Sequence, residues 1–369
     1  MRRFWIAVAV AACAGVTTSG AITAVQAQVN ELIPGLAAGN EELRHEPRMK
    51  LLSLAAEASR PGAEAARVEL EQALVARIAD AGVAQPARVW MVRQLETVGG
   101  AGSVPVLTRL LADPDPELRE TARRAIEVNP AAAAGLALRN ALKAGGDVAW
   151  RIGLVHSLGR RGDPASVEIL VPLLADGEVG AVAVAALARI ATPAAADALM
   201  AAYDGKSVAV GSALLDAAGR QGDAGRAILA RLIPQGNPPS IRAGAVSALI
   251  GRSTAADAPR WIAAGLADAD LRVRGAAARA GSAHTGPALT AALLATWDKL
   301  GAGGRALALD LMDAAGRPRA EEALGGDDAD GAAAAVRLLG RIGGVDVMPA
   351  LLEAAASDRP VRVAAEQAL

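Results

Sequence analysis

The sequence predicts an all-α fold, an α-solenoid of stacked helical hairpins, on three observations. Hydrophobic residues make up 53% of the chain, and many of them are alanine. Aromatic residues make up only 2%. Alanine is the strongest helix former and lets helices pack closely. Apolar side chains recur at i, i+3, i+4 and i+7, and few β-branched runs alternate with period two. A similar pair of helices returns about every 30 residues, as in a helical-hairpin solenoid.

The N-terminal segment, residues 1–27, reads as a signal peptide ahead of the predicted helices. MRR supplies a positive start, FWIAVAVAACAGV is a short apolar stretch, and Val25-Gln26-Ala27 offers a small-residue cleavage site. We therefore expect cleavage after Ala27 and a periplasmic or secreted mature protein with no transmembrane span.

Two alternatives remain open for this segment. The apolar stretch could persist as an uncleaved anchor, although it is short and rich in small residues for a membrane span. Val10-Ala11-Ala12-Cys13 loosely resembles a bacterial lipobox, which would give Cys13 a lipid anchor. Cleavage after Ala27 would instead leave a mature chain without cysteine. Disulfides, cysteine-ligated metals and thiol nucleophiles would then be excluded.

Two kinds of helix alternate from about residue 86 onward. A first-type helix such as VPVLTRLLADPD is followed by a second-type helix such as PELRETARRAIEV. Second-type helices are expected to begin near Pro86, Asp115, Asp147, Glu178, Ser207, Pro239, Asp270, Gly303, Gly331 and Asp358. We assign residues 64–369 to the repeats. Residues 28–63 are assigned to an N-terminal helical cap, which a solenoid needs to shield its first apolar face.

An aspartate stands four residues before an arginine at the start of several second-type helices. The pairs are Asp115/Arg119, Asp147/Arg151, Asp270/Arg274 and Asp358/Arg362. Each aspartate can cap free N–H groups at the positive end of its helix, and each arginine lies one turn further along the same face. Stacked in register, these groups are expected to form a ladder that fixes how one hairpin sits on the next.

The segment LGRRGDP, residues 158–164, contains the adhesion tripeptide Arg161-Gly162-Asp163 but is better interpreted as a turn. A similar sequence pattern recurs in AAGRQGD (residues 217–223) and LLGRIGG (residues 338–344). In each case a glycine suits a left-handed helix end and an arginine meets the negative end of the helix dipole. Because the pattern recurs, it favours a structural turn at the end of a helix over a binding loop.

The segment DPDPELRETARRAI (residues 113–126), the Asp/Arg pairs and the L-G-R-x-G-D endings resemble HEAT repeats. The resemblance is strongest to the short bacterial type, also called bilin-lyase-like HEAT repeats, and covers roughly residues 64–369. It implies a right-handed α-solenoid whose second-type helices line a concave face that binds a partner. It says little about function, because the family serves many ends.

Three stretches depart from the repeat. LGAGGR (residues 300–305) and AEEALGGDDADG (residues 320–331) are rich in glycine, which weakens a helix by about 1 kcal/mol per residue, so we expect a loosened repeat near 300–331. GNEELRHEP (residues 39–47) is expected to be a polar loop between two short helices, the second over residues 49–59. The chain ends within a predicted second-type helix, so either that helix frays or the repeats continue beyond residue 369.

No motif for catalysis, metal binding or cofactor binding stands out, and no cofactor is expected. A net charge of −1 and a single Phe and Tyr provide neither an electrostatic footprint nor a stacking surface for nucleic acid. His45, His156 and His284 have no histidine at i+3 or i+4, which a helical zinc site requires. His45 is expected to be solvated, His156 to be packed or to face the groove, and His284 to open a helix.

The deoxyhypusine hydroxylases are an enzyme group with HEAT repeats, and they hold two irons with His-Glu pairs in several repeats. In this sequence His45-Glu46 is the only such pair, and it lies outside the regular repeats. The comparison argues against that activity.

The candidate binding residues lie on second-type helices, which the resemblance places on the concave face. They are Arg119, Arg123, Arg151, Arg242, Arg274, Trp90 and Trp150. The arginines could present a basic stripe to an acidic peptide or glycan, and the tryptophans could anchor a partner. The alternative for each is a structural role, as a ladder partner, a solvated side chain or part of the core.

We therefore expect an exported, non-catalytic scaffold that binds a protein partner through its concave face. One alternative is the N-terminal interaction arm of a larger secreted enzyme, for example a carbohydrate-active one. A second alternative is a HEAT-type enzyme such as a bilin lyase relative, against which export, neutral charge and the missing motifs count.

Overall fold

A computed structural model describes residues 23–357 and 359–369. Residues 1–22, with Cys13 and most of the predicted signal peptide, lie outside the described residues, as does Asp358. The described residues form α-helices joined by turns and short 3-10 helices, with no β-strand among them. The predicted all-α solenoid class is confirmed. Within the same residues, no helix is both long and apolar enough to cross a membrane.

The chain divides into two compact units, Met1–Ala137 and Leu138–Leu369. The first contains α1 (Ala24–Leu36), α2 (Glu41–Ala58), α3 (Glu64–Ile78), α4 (Gln85–Val98), α5 (Val104–Leu110) and α6 (Pro116–Val128). The boundary falls within α7 (Ala132–Ala144). Helices α1 and α2, α3 and α4, and α5 and α6 pack as hairpins, and α4 also packs on α6.

The second unit repeats the same hairpin. Its helices are α8 (Val148–Arg161), α9 (Val167–Leu170), α10 (Gly180–Ile190), α11 (Pro193–Ala202), α12 (Val208–Arg220), α13 (Arg226–Leu232), α14 (Pro239–Gly251), α15 (Ala258–Leu266), α16 (Leu271–Gly281), α17 (Pro287–Ala295), α18 (Ala302–Leu311), α19 (Arg317–Gly325), α20 (Ala329–Ile342), α21 (Met348–Ala355) and α22 (Arg362–Ala368). From α3 onward, odd-numbered helices are first-type and even-numbered helices second-type. Each second-type helix from α4 to α20 begins within two residues of its predicted start.

Helix α6 shows how the sequence specifies a second-type helix. The Asp115 carboxylate accepts a hydrogen bond from the Leu118 N–H at 2.8 Å. Pro116 occupies the first turn, where a missing N–H leaves no intrahelical bond unmade. One face then buries Leu118, Ala122 and Ile126. Cap, proline and apolar spacing therefore select the same helix.

Small residues let successive second-type helices approach closely. A Cβ atom added at Gly159 of α8 would lie 2.8 Å from the Cβ of Ala186 in α10, too close for two carbon atoms. Helix α10 buries residues on several sides, among them Val184, Leu187 and Ile190. The apolar surface of α10 is covered because it packs against α8, α11 and α12.

The segment predicted as a polar loop at residues 39–47 is helical from Glu41 onward. The Asn40 side chain accepts a hydrogen bond from the Leu43 N–H at 2.8 Å, and Glu41 and Glu42 occupy the first turn of α2. Asparagine caps and acidic first turns favour a helix start, which outweighs Pro47 inside the helix. The loop prediction was wrong because it gave the polar composition more weight than the cap.

The turn at LGRRGDP is confirmed. Gly162 ends α8 in the left-handed conformation with φ of 67°. The Asp163 carboxylate accepts a hydrogen bond from the Ala165 N–H at 3.0 Å and pairs with Arg139. The acidic side chain of the adhesion-like tripeptide is therefore engaged within the fold.

The glycines near residue 300 have a packing role. A Cβ atom at Gly304 of α18 would overlap the carbonyl oxygen of Leu266 at the end of α15. Helix α18 packs on α16 and α20, so this region keeps its hairpin arrangement. The loosening expected for residues 300–331 stays a prediction about mobility.

Candidate functional site

In the part of the chain that the structure describes, three arginines of second-type helices pair with aspartates of the next hairpin. Arg242 of α14 binds Asp268 with two parallel hydrogen bonds of 2.8 Å. Arg151 of α8 pairs with Asp176 at 2.5 Å. Arg88 of α4 lies 3.9 Å from Asp113. Each of these contacts, called a rung below, joins a second-type helix to the turn that precedes the next one.

The aspartates predicted as ladder partners cap their own helices instead. Asp115 accepts from the Leu118 N–H and Asp147 from the Trp150 N–H, both at 2.8 Å. Asp270 accepts from the Arg272 N–H at 2.9 Å. The predicted ladder therefore uses a different set of aspartates, and Asp358 lies outside the described residues.

The ladder arginines also bind carbonyl groups of the turn before their own helix. Arg242 donates from Nη1 to the Asn237 carbonyl at 2.5 Å. Arg274 donates to the carbonyls of Asp268 and Ala269 at 2.9 and 2.7 Å. Arg119 approaches the Asp113 carbonyl at 3.5 Å. A guanidinium has five N–H donors, so one arginine can serve its own turn and the next.

Hydrogen bonding lowers the pKa of two rung aspartates, Asp176 and Asp268. The bond from Arg151 holds the pKa of Asp176 at about 2, and the N–H groups of Glu178 and Val179 contribute. Burial acts to raise the pKa of Asp268, but the hydrogen bonds from Arg242 and the Asp270 N–H outweigh it. The pKa of Asp268 therefore lies below its ordinary value, and both rungs are ionised at neutral pH.

Two of the predicted binding arginines are buried. Arg242 is 4% exposed and Arg123 is 8% exposed. Arg123 is held by Glu120 at 2.5 Å and Glu127 at 3.1 Å. The structure therefore places both arginines in the framework, because burial and paired carboxylates leave no guanidinium surface for a partner. Among the remaining ladder residues, Arg362 lies 3.8 Å from Glu366.

A cleft of about 460 Å³ opens between second-type helices α4 and α6. It is lined by Arg93, Glu96, Glu117, Glu120, Thr121 and Arg124. Arg93 pairs with Glu117 at 3.4 Å, and Arg124 pairs with Glu120 at 3.0 Å. The guanidinium side chains of Arg93 and Arg124 are 44% and 64% exposed, so both remain accessible.

Glu96 differs from the other carboxylates of this cleft. It has no hydrogen bond or ion pair within 4.0 Å among the residues that the structure describes. Burial raises its pKa, against the attraction of Arg124 and Arg93. The cleft therefore holds a carboxylate that a ligand could still bind.

Trp90 is half-buried beside this cleft. The guanidinium of Arg48 lies 4.5 Å from the ring centroid and that of Arg93 lies 5.0 Å from it. Cations at these distances are attracted by the face of an indole ring. The predicted Trp90 therefore lies beside Arg93, which the sequence did not single out. Trp150 of α8, also half-buried, packs against Gly146.

The histidines do not converge. His45 in α2 and His156 in α8 are exposed, and His284 lies in a 3-10 turn after α16. Within residues 23–357 and 359–369, no group of three or more His, Cys, Asp or Glu side chains is arranged to hold a metal ion.

The family model described as HEAT repeats matches residues 104–182 and 135–219. The predicted resemblance to HEAT repeats is thereby confirmed over residues 104–219. No curated protein matches the chain.

Solved structures similar to the chain include other helical-repeat proteins. The CpcE–CpcF phycocyanin lyase complex of Nostoc sp. PCC7120 is 21% identical, with 64% of this chain and 92% of that chain covered and a TM-score of 0.34. Kap121p is 14% identical, with 93% and 44% covered and a TM-score of 0.48. Human deoxyhypusine hydroxylase is 18% identical, with 83% and 96% covered and a TM-score of 0.31. At such identities the likeness concerns the fold alone.

Proposed function

We propose that the protein is a non-catalytic scaffold that binds another protein through its second-type helices, because residues 104–219 match a family model described as HEAT repeats. The observation that carries this proposal is the charged cleft between α4 and α6. Stacked hairpins commonly form extended binding surfaces. This cleft offers accessible charges of both signs beside an aromatic ring.

The chemistry of the cleft suits a polar protein surface. Arg93 and Arg124 are exposed donors, and Glu96 is a carboxylate with room for a partner. Exposed ion pairs contribute little to the fold, so exchanging them for contacts with a partner costs little. Tryptophan and arginine are the residues that most often dominate binding energy at protein interfaces. Trp90, which lies beside Arg48 and Arg93, is therefore suited to a binding surface.

We also propose that the protein acts outside the cytoplasm. The support is the order of a basic start, an apolar stretch of 13 residues (4–16) and a small-residue segment before α1. A lipid anchor at Cys13 is the alternative form of the same export. The partner would then be an envelope or extracellular protein.

The proposal is tested by site-specific photo-crosslinking in native cells. A photoreactive residue replacing Glu96 should give a crosslinked product of discrete mass. The same residue replacing Arg109, an exposed position on first-type helix α5, is the matched control and should give none. Equal crosslinking at both positions would indicate contact without a defined surface and would contradict the proposal.

Charge reversal gives a second test once the crosslinked protein is identified. The double variant Arg93→Glu, Arg124→Glu should weaken its binding at least tenfold, which corresponds to about 1.4 kcal/mol. Arg109→Glu should leave the affinity unchanged. Since all three side chains are exposed, each variant should keep the circular dichroism spectrum of the wild type.

A further inference from the structure

The start of α1 bears on where the exported protein is cut. Thr23 is the N-cap of α1, and its hydroxyl accepts a hydrogen bond from the Gln26 N–H at 3.2 Å. The Gln26 side chain in turn accepts from the Thr23 N–H at 3.1 Å. This reciprocal pair is a capping box, which satisfies two N–H groups that a helix start otherwise leaves unbonded.

The cleavage predicted after Ala27 would fall inside this helix. It would remove Thr23, Gln26 and the whole first turn, with the Ala27 N–H to Thr23 carbonyl bond of 2.9 Å. The new terminus at Gln28 would place a positive ammonium group at the positive end of the helix dipole. Val29, which is 1% exposed, would then lie in a frayed first turn.

A second small-residue site lies just before the cap. Ser19-Gly20-Ala21 has small residues at the first and third positions, as the cleavage pattern requires. It follows the apolar stretch directly, separated from Val16 by Thr17 and Thr18. Cleavage after Ala21 would leave Ile22 as the first residue and would keep the capping box complete.

We infer that the signal peptidase cuts the bond between Ala21 and Ile22, so that the mature chain starts one residue before the N-cap of α1. The inference rests on the proposed export. The reaction is hydrolysis of one peptide bond: water adds across it, the new carboxylate stays on Ala21 and the new amino group on Ile22. The folded helix then begins where the mature protein begins.

The first experiment is the intact mass of the protein purified from its native cells. A mass of residues 22–369 is the expected result. A mass of residues 28–369 would overturn the inference and leave export standing. An uncleaved chain of residues 1–369 in the cytoplasmic fraction would overturn both. The same chain in the envelope fraction, or a lipid-modified chain starting at Cys13, would overturn the inference and retain export by another route.

Two variants separate the sites within the precursor. Ala21→Leu places a large side chain at the position before the cut and should make the precursor accumulate. Ala27→Leu is the matched control, and its precursor should be processed like the wild type. Normal processing of Ala21→Leu together with accumulation of Ala27→Leu would contradict the inference.

A third measurement checks the physical reason. The purified chains 22–369 and 28–369 should differ in melting temperature, with the shorter one lower because α1 has lost its cap and first turn. Thr23→Ala in the longer chain should give part of the same decrease. Equal melting temperatures for all three proteins would show that the capping box does not stabilise the mature chain and would contradict the physical basis of the inference.

Discussion

The Arg242 guanidinium and the Asp268 carboxylate form a two-bond ion pair in which both side chains are nearly excluded from solvent, at 5% and 4% exposure. The pair links α14 to the turn before α16. Removing one member of a buried pair leaves the other charge without compensation.

We therefore predict that Arg242→Ala or Asp268→Asn lowers the free energy of unfolding by about 3–5 kcal/mol. Denaturant unfolding measures the loss. Arg272→Ala removes the exposed partner of Asp270 and is the control, with a much smaller expected loss because solvent screens an exposed pair. Equal losses for Arg242→Ala and Arg272→Ala would contradict a structural role of the rung.

The rung between Arg151 and Asp176 predicts sensitivity to acid. The pKa of Asp176 is about 2 in the folded protein, whereas the pKa of an aspartate in an unfolded chain is about 3.9. Because the folded pKa is depressed, this contribution to stability is complete above about pH 4 and is lost as the pH falls through about 2. Asp176→Asn should lower stability at neutral pH and flatten its decline between those values.

Thermal unfolding at several pH values measures this effect. Asp197→Asn, at an exposed position of α11, is the control for the loss of one negative charge. If Asp176→Asn kept the wild-type pH dependence, the carboxylate would not be the titrating group that stabilises the fold.

The contribution of Glu96 to stability is expected to change with pH in the opposite direction to that of Asp176. Burial raises its pKa, so the folded protein binds this proton more tightly than the unfolded chain does. Ionisation of Glu96 therefore costs stability as the pH rises above the unfolded value of about 4.3. Glu96→Gln should be more stable than the wild type at pH 7, and the difference should vanish in acid.

Glu117→Gln is the matched control for Glu96→Gln. It removes a carboxylate that pairs with Arg93 and accepts from Gln85 at 3.0 Å, so no gain at pH 7 is expected. Chemical unfolding at pH 4 and pH 7 separates the two variants. A Glu96→Gln protein less stable at pH 7 would mean that the charge of Glu96 stabilises the cleft.

A larger side chain at position 304 is expected to lower the free energy of unfolding. Gly304→Ala should destabilise the protein by about 1–3 kcal/mol, because the added methyl group meets the Leu266 carbonyl. Gly251→Ala, in α14, meets no atom within 4 Å and should instead gain a few tenths to about 1 kcal/mol from helix propensity. Unfolding free energies measure both, and two changes of the same sign would contradict the packing argument.

The sequence predicted the hairpins because caps, apolar spacing and glycine endings act over a few residues. It assigned the ladder to the wrong aspartates because Asp115 and Asp270 stand at an i, i+4 spacing that predicts contact within one helix. The contacts of Arg151 and Arg242 span 25 and 26 residues and depend on how hairpins stack. Aligning the turns would have found the aspartate that opens D-x-D at Asp113 and Asp268.

The cleft was missed for the same reason. Arg93, Glu96 and Arg124 resemble solvated charges on isolated helices, and only the packing of α4 on α6 brings them together.

Glu71 of α3 is a second residue whose contacts the sequence does not predict. It is 6% exposed and accepts hydrogen bonds of 2.7 Å from the N–H groups of Gly100 and Ser103, a turn in the next hairpin. No local pattern predicts a carboxylate that caps a distant turn.

A rung belongs to no single hairpin, since its arginine comes from one and its aspartate from the next. A gene segment that encodes one repeat can therefore be duplicated without loss only when its ends fall at equivalent places in consecutive repeats. A segment from the start of α14 to the turn before α16 carries Arg242 together with Asp268, so a copy of it brings a complete rung. A cut between the two, within α15 for example, would strand the buried guanidinium of Arg242 without its counter-ion. The segment that can be duplicated without loss is thus limited by its charge pairs as well as by its helices.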